Sequence, residues 1–471
     1  MGRAARATGV SALVLLVAAG GYATADAVDL VPGVLTLAPV PPPPEPFPTA
    51  PGAVPAPDLA AALPALDDAA PVPAAGPLAQ SVAELVTDPR VGPSIGVVVA
   101  DLLTGEVLAS HEPEVPRTPA SVAKVVTAVA ALSAIGPDAT VRTSVVRGGE
   151  GQIVLVGGGD MMLAAGQGDP TAVNGRAGLA DLAEATAREL TLAGTTTVRL
   201  AVDDTLFAGP ALSPTWDPSH LVNGFTAPVT SLAVDIAKTR SDVEYSPRQA
   251  DPALSAARAV ADALAGYGIT VEGEPVRGAA PADAVRLASV ESAPLGEVVD
   301  FFLHTSDNAI TEAVCRQVAL DAGLPGSFEG GTEAVLAQAR ALGVDTSGAR
   351  LSDCSGLGDG SALPTTTVLD LLRLVTDPAH PELRGVAVGM PLAGYSGTLA
   401  DRFTRSSAAG LVRAKTGSLS GVTSLAGTVV DADGRALLFA VLADATPPGG
   451  QPAPRAAIDA FVARLAACGC R

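Results

Sequence analysis

Lysine is almost missing from this chain. Among 471 residues there are three, Lys124, Lys238 and Lys415, against 26 arginines, and asparagine is as scarce, at Asn174, Asn223 and Asn308. A guanidinium stays protonated in a protein, whereas a buried ammonium can release its proton, so a chain that prefers arginine keeps lysine where arginine cannot serve. Positive charge of any kind is short. A net charge of −20 denies a phosphate backbone the basic surface it needs, which excludes nucleic acid as a partner and leaves solubility as the reading of the acidity. The four histidines, His111, His220, His304 and His380, have no ligand spacing, so no metal site is supported. Four cysteines, Cys315, Cys354, Cys468 and Cys470, permit three pairings in an oxidising compartment. A Cys315–Cys354 bridge, with the C-terminal Cys-Gly-Cys left to itself, and buried free thiols are both compatible with the sequence.

Charge is also absent near the start. Arg3 and Arg6 precede an uncharged run from Ala7 to Ala25, and the next basic residue is Arg90. That asymmetry puts the short N-terminal end in the cytoplasm and all that follows outside. Residues 1–25 read as a signal anchor just long enough to cross a bilayer and hold the protein to the membrane. The other reading is a signal peptide with Val10–Ala19 as its apolar core and Ala23-Thr24-Ala25 as a cleavage site. Fourteen of the 40 prolines fall between Pro39 and Pro77. Proline lacks the N–H that helices and ladders use, so residues 26–77 read as an extended linker, and a stalk of that kind favours the anchor.

The hydrophobic fraction of 48% and the long periodic segments argue for a globular body from about Leu78. Ile95–Ala100 and Glu106–Ser110, turned at Thr104-Gly105, predict a hairpin. Thr118-Pro119 marks a helix start, and that helix carries Ser121 and Lys124 and stops near Gly136. From Thr140 to Val285 the texture changes: strand-like runs (Ile153–Val156, Val198–Val202) alternate with helical ones (Ala177–Ala193, Pro252–Gly266). This reads as an inserted domain over 140–285, interrupting a body made of 78–139 and 286–471. Helical patterning resumes at Pro294–His304 and after Asn308. Leu411–Lys415, Val422–Val430 and Ala436–Ala443 read as adjacent antiparallel strands, and Pro454–Cys468 as a closing amphipathic helix. The expected class is α/β in the α+β sense, an antiparallel sheet flanked by helices, with a helical lobe and a second, inserted domain.

Two of the three lysines and one of the three asparagines fall in three short motifs: Ser121-Val122-Ala123-Lys124, Ser306-Asp307-Asn308 and Lys415-Thr416-Gly417-Ser418. They occupy, in order, a helix N-terminus, an interhelical turn and a strand. Residues three apart share a helix face, so the Lys124 amine reaches the Ser121 hydroxyl. A neutral Lys124 accepts the hydroxyl proton as Ser121 attacks a carbonyl, and the Ser121 N–H at the helix start serves as one oxyanion donor. Lys415, a second cation, is expected to depress the Lys124 pKa and to attract an anionic substrate. Ser306 is placed to relay a proton to a departing amine, and Asn308 to orient substrate backbone.

Together these motifs resemble those of penicillin-binding proteins and serine β-lactamases. The 185 residues from Ser121 to Ser306 are too many for a compact β-lactamase and leave room for the inserted domain. That layout is similar to the D-alanyl-D-alanine carboxypeptidase/endopeptidase family of low-molecular-mass penicillin-binding proteins. Gly157-Gly158-Gly159-Asp160, a strand over 227–232 and Asp353-Cys354-Ser355-Gly356-Leu357 agree with it, and the likeness runs from Leu78 to the C-terminus. Cys354 stands where the family usually has glycine, and Met161 where it usually has proline. The resemblance implies a penicillin-binding, serine β-lactamase-like transpeptidase domain in the cell envelope. Its substrates would be peptidoglycan stem peptides, its covalent inhibitors β-lactams, and it would need no cofactor. Ser121 would form the acyl-enzyme and Lys124 would be the base. Ser306 and Asn308 would face the strand of Lys415 and Gly417, while Thr416 and Ser418 would bind the terminal D-alanine carboxylate. The Ser418 N–H would be the second oxyanion donor.

Other features compete for a role. Gly92-Pro93-Ser94-Ile95-Gly96 matches a nucleophile-elbow pattern but has a linker before it and a strand after, the wrong context. His304 at a helix end reads as structural, Trp216 and Phe207 as packing residues of the inserted domain, and Asp353 and Ser355 as cleft border or turn. Two alternatives to a carboxypeptidase remain open on sequence: a β-lactamase, disfavoured because no Glu-x-x-x-Asn follows the second motif, and a non-enzymatic wall-binding protein.

Overall fold

The computed structural model describes residues 19–28, 30–31 and 69–468, in two units, Met1–Pro64 and Ala65–Arg471. In the first, residues 19–27 are helical. Among the described residues no helix is long and apolar enough to cross a membrane. The charged start of the N-terminal segment, most of the linker and Cys470 lie outside the described residues.

The second unit opens with helix α1 (Ala75–Val86), which begins inside the proline-rich stretch because Pro77 falls in its first turn, where no N–H is required. Strands β1 (Ile95–Asp101) and β2 (Val107–His111) form the expected hairpin. A 3₁₀ turn over Ala120–Ala123 leads into helix α2 (Lys124–Ala134), so Ser121 stands just ahead of the α-helix proper. Every residue of α2 from Lys124 to Leu132 is buried, the mark of a helix surrounded by others.

A second sheet follows. Its strands are β3 (Arg142–Arg147), β4 (Gln152–Val156), β6 (Thr197–Asp203), β8 (Thr270–Val271), β9 (Val276–Arg277) and β10 (Arg286–Glu291), while β5 (Asp160–Leu163) pairs separately with β7 (Leu232–Val234). The order β10-β3-β4-β6-β8, with β9 also against β6, is antiparallel from β10 to β4 and parallel beyond. Helices α3 (Leu179–Leu192) and α4 (Pro252–Gly266) pack Leu182, Leu190, Val260 and Leu264 against Ile153, Leu155, Leu200 and Val202 in a core of their own. The segment between β6 and α4 leaves this sheet. Phe207 and Trp216, expected inside the inserted domain, are buried in the core of the main body. Buried Arg316 explains the departure: it donates to the carbonyls of Ala208 and Pro210 and lies against the rings of Phe207 and Phe328. Of the expected strand over 227–232 only Leu232 enters a ladder; the rest is loop, and Pro228 has no N–H to give.

Helices α5 (Leu295–Thr305), α6 (Asn308–Asp321), α7 (Phe328–Ala341) and α8 (Thr365–Thr376) build the lobe around α2. Strands β11 (Val412–Leu419), β12 (Val422–Val430) and β13 (Ala436–Ala443) complete a five-stranded antiparallel sheet, β11-β12-β13-β1-β2. β1 and β13 are buried throughout because both faces are covered. Val98, Ala100, Leu438, Ala440 and Leu442 face α2 and α8. Val97, Val99, Leu437, Phe439 and Val441 face α1 and the last helix, α9 (Pro452–Ala467). β11 is left as an edge strand, and the three motifs meet there.

Candidate active site

Backbone contacts grip the Ser121 turn from two sides. A Cβ on Gly417 would stand 2.5 Å from the Pro119 carbonyl oxygen, and one on Gly356 (φ +74°) 2.0 Å from that of Ala120, so both positions must be glycine for β11 and the 353–358 loop to close on the turn. Ala120 itself holds a left-handed φ of 49°. On the far side of the cleft α5 ends at Ser306, also left-handed at φ 60°, and Asp307 caps α6 by accepting the Ile310 N–H. Asn308 therefore heads a helix that points at the Ser121 turn.

Ser121 is half-exposed and Lys124 wholly buried. The Lys124 amine donates to Ser121 Oγ at 3.0 Å, to Asn308 Oδ1 at 2.6 Å and to the Ser355 carbonyl at 2.8 Å. Asn308 cannot turn over, because its Nδ2 donates to the Phe225 carbonyl at 2.8 Å. Burial pushes the Lys124 pKa down to about 8, against the opposing pull of Asp353, Glu312 and Asp307. Lys415, equally buried, donates to Ser306 Oγ at 2.8 Å and to the Thr416 carbonyl at 3.0 Å. Its pKa lies well below the usual lysine value, from burial first and the Lys124 charge second. Burial is the first cause at both lysines, and the repulsion between the two amines, expected from the motifs, acts beside it.

Behind the amines lies a layer the motifs did not disclose. Asp353 is fully buried and accepts the N–H groups of Gly356 and Gly358 and the Trp216 indole N–H, shaping the loop whose Ser355 carbonyl holds Lys124. Glu312 accepts the Ser355 N–H at 2.7 Å, and burial raises its pKa to about 8. The Cys315–Cys354 disulfide ties α6 to that loop, and the Cys354 carbonyl accepts from Thr127 on α2. Closing a separation of 39 residues, the bridge is worth about 3–4 kcal/mol by chain entropy. Reduction under native conditions is expected to lower the melting temperature and slow acylation together, read by thermal melts and penicillin labelling with and without dithiothreitol.

The other candidates fall elsewhere. Ser94 donates to Asp444 at the start of β1, which ends the elbow reading, and His304 sits in the last turn of α5. Thr416 Oγ1 lies 2.8 Å from Thr398 Oγ1, and Ser418 Oγ accepts from Arg455 at 3.0 Å. Glu312 had a signal in the sequence, an acid four residues after Asn308 and so on the same helix face. The contributions of Phe225, Thr398 and Arg455 depend on tertiary approach and had none.

A serine hydroxyl held by a buried lysine, a second serine–lysine pair across the cleft and an antiparallel sheet under a helical lobe define a serine acyl-transfer enzyme of the penicillin-binding type. The chain belongs to the D-Ala-D-Ala carboxypeptidase 3 (S13) family, whose profile matches residues 78–246 and 236–467. It is similar to the carboxypeptidase DacB of Mycolicibacterium smegmatis, with 38% identity over 400 residues, covering 83% of this chain and 84% of that protein. The D-alanyl-D-alanine carboxypeptidase of Actinomadura sp. strain R39 is 30% identical over 471 residues, covering 83% and 84%. The crystal structure of penicillin-binding protein 4 from Haemophilus influenzae superposes with a TM-score of 0.68 at 22% identity, over 82% of this chain and 98% of that one. The protein is a serine-type, penicillin-binding D-Ala-D-Ala carboxypeptidase, and as a cell-wall enzyme it acts outside the cytoplasm.

Proposed function

We propose that Ser121 is the nucleophile and Lys124 the base in both halves of the reaction. One observation carries this: of the three oxygens around the Lys124 amine, two are carbonyls that only accept. When the amine is neutral its two N–H bonds stay on Asn308 and Ser355, and its lone pair is left for the Ser121 hydroxyl. Lys124 takes that proton as Ser121 Oγ bonds to the carbonyl carbon of the penultimate D-alanine. The oxyanion is met by the N–H groups of Ser121 and Ser418. The Ala414 N–H points off the free edge of β11 to the Pro391 carbonyl, and strand alternation turns those of Thr416 and Ser418 the same way. The C–N bond breaks as Ser306, held by Lys415, passes its proton to the leaving amine and takes up in exchange the proton carried by Lys124, so that Lys124 is neutral again before deacylation. Water then attacks the ester with Lys124 again taking the proton, and the Ser121 oxygen leaves reprotonated. β-Lactams enter the first half only and remain as adducts.

The acyl half of a cross-link is the same D-alanyl carbonyl, and only the leaving amine differs, so endopeptidase cleavage is part of the proposal. So is the division of the body into a catalytic domain, 78–139 with 286–471, and an inserted domain over 140–285, supported by the separate core under α3 and α4. The uncharged run after Arg6 and the proline stalk support a membrane anchor over a released form. Mass spectrometry of products from a cross-linked muropeptide tests the activity: loss of terminal D-alanine together with appearance of both monomers is expected. Intact dimer after complete removal of terminal D-alanine would restrict the enzyme to carboxypeptidase action.

A further inference from the structure

Arg455 projects from α9 to the end of β11 and donates to Ser418 Oγ at 3.0 Å. It is half-buried, and its Nε is fully enclosed with no hydrogen-bond partner. Asp459, one helical turn along on the same face, is ion-paired to Arg402 and acts on Arg455 only through space, where the Arg402 charge opposes it; among the described residues Arg455 makes no ion pair. A cation at a cleft with one donor spent on a neutral hydroxyl and no carboxylate of its own is built for an anion that arrives with the substrate.

Strand geometry shows where that anion sits. Lys415 and Gly417 point to the Ser121 turn, while Thr416 and Ser418 share the opposite face of β11. Because Ser418 Oγ accepts from Arg455, its own proton is turned out to the cleft as a donor. Thr416 Oγ1 is paired with Thr398 and lies two residues away on the same face. Tyr245, edge-to-face with Phe225 at 5.7 Å between ring centres, stands exposed near the same cation.

We infer that Arg455 is a specificity-determining residue: it fixes Ser418 as a hydrogen-bond donor and supplies the positive charge that selects a leaving residue with a free carboxylate. The inference rests on Thr416 and Ser418 being the carboxylate ligands, and its test separates the two. Steady-state rates are measured on an acyl-D-Ala-D-Ala peptide and on the same peptide ending in D-alaninamide. The wild-type enzyme favours the acid. Arg455→Gln is expected to shrink the acid-to-amide ratio of kcat/KM at least tenfold, chiefly by raising KM for the acid, and Arg455→Lys to keep most of the ratio. An equal loss on both substrates would make Arg455 merely structural, and an unchanged ratio would remove it from recognition; either overturns the inference. Thr416→Val reports on the underlying reading. If it collapses the ratio while Arg455→Gln spares it, only the role of Arg455 is lost. If neither changes the ratio, the carboxylate is bound elsewhere and both readings fall.

Discussion

Ser121→Ala is expected to abolish covalent labelling by a fluorescent penicillin and to lower kcat/KM on a D-Ala-D-Ala peptide by about a million-fold, as loss of a nucleophile that works as a unit with its base does. The fold should not notice. Ser121 is half-exposed, and its hydroxyl accepts from Lys124, an amine that keeps Asn308 and Ser355 when the hydroxyl is gone. A substitution of that kind costs within about 0.5 kcal/mol, so the melting temperature is the control. Two other serine hydroxyls border the cleft, Ser306 and Ser418, and each is already committed, to Lys415 and to Arg455. Labelling that survived in Ser121→Ala and vanished in Ser306→Ala would move the nucleophile across the cleft and reverse the roles of the two lysines.

The scarcity of lysine made this site legible before any coordinates. An arginine-rich chain with three lysines places two of them in short motifs with serine, the positions where a removable proton or a compact ammonium would be required. Local signals carried the elements too: the hairpin at Thr104-Gly105, the helix after Pro119, the sheet strands up to Ala443. What the sequence hid is what the chain brings from far away. Trp216 looked like filling for the inserted domain, yet its indole N–H fixes Asp353 some 140 residues on, and Asp353 shapes the loop that holds Lys124. Phe225 acts through a backbone carbonyl, which no side-chain pattern records. Arg455 reaches Ser418 only because α9 packs along the sheet face that ends at β11. A sequence shows two lysines in related motifs but not that each is enclosed at every atom, and that enclosure is the first cause of both depressed pKa values.

That enclosure sets the pH dependence. With the Lys124 pKa at about 8, the amine is a base only when neutral, so kcat/KM for acylation should climb about tenfold per pH unit up to that value and level off above it. At pH 7 roughly one molecule in ten carries the reactive form. Lys124→Arg keeps the positive charge and hydrogen-bond donors but cannot deprotonate, and it should lower kcat/KM by about 10²–10⁴-fold. Its residual activity should also lose the limb near pH 8. That second outcome separates base from scaffold. If Lys124 only positioned Ser121, the arginine variant would be slow at every pH yet keep the wild-type profile, because the titrating group would lie elsewhere. A wild-type rate that stayed flat from pH 6 to 9 would show that proton removal from Ser121 does not run through this amine, whatever its hydrogen bonds.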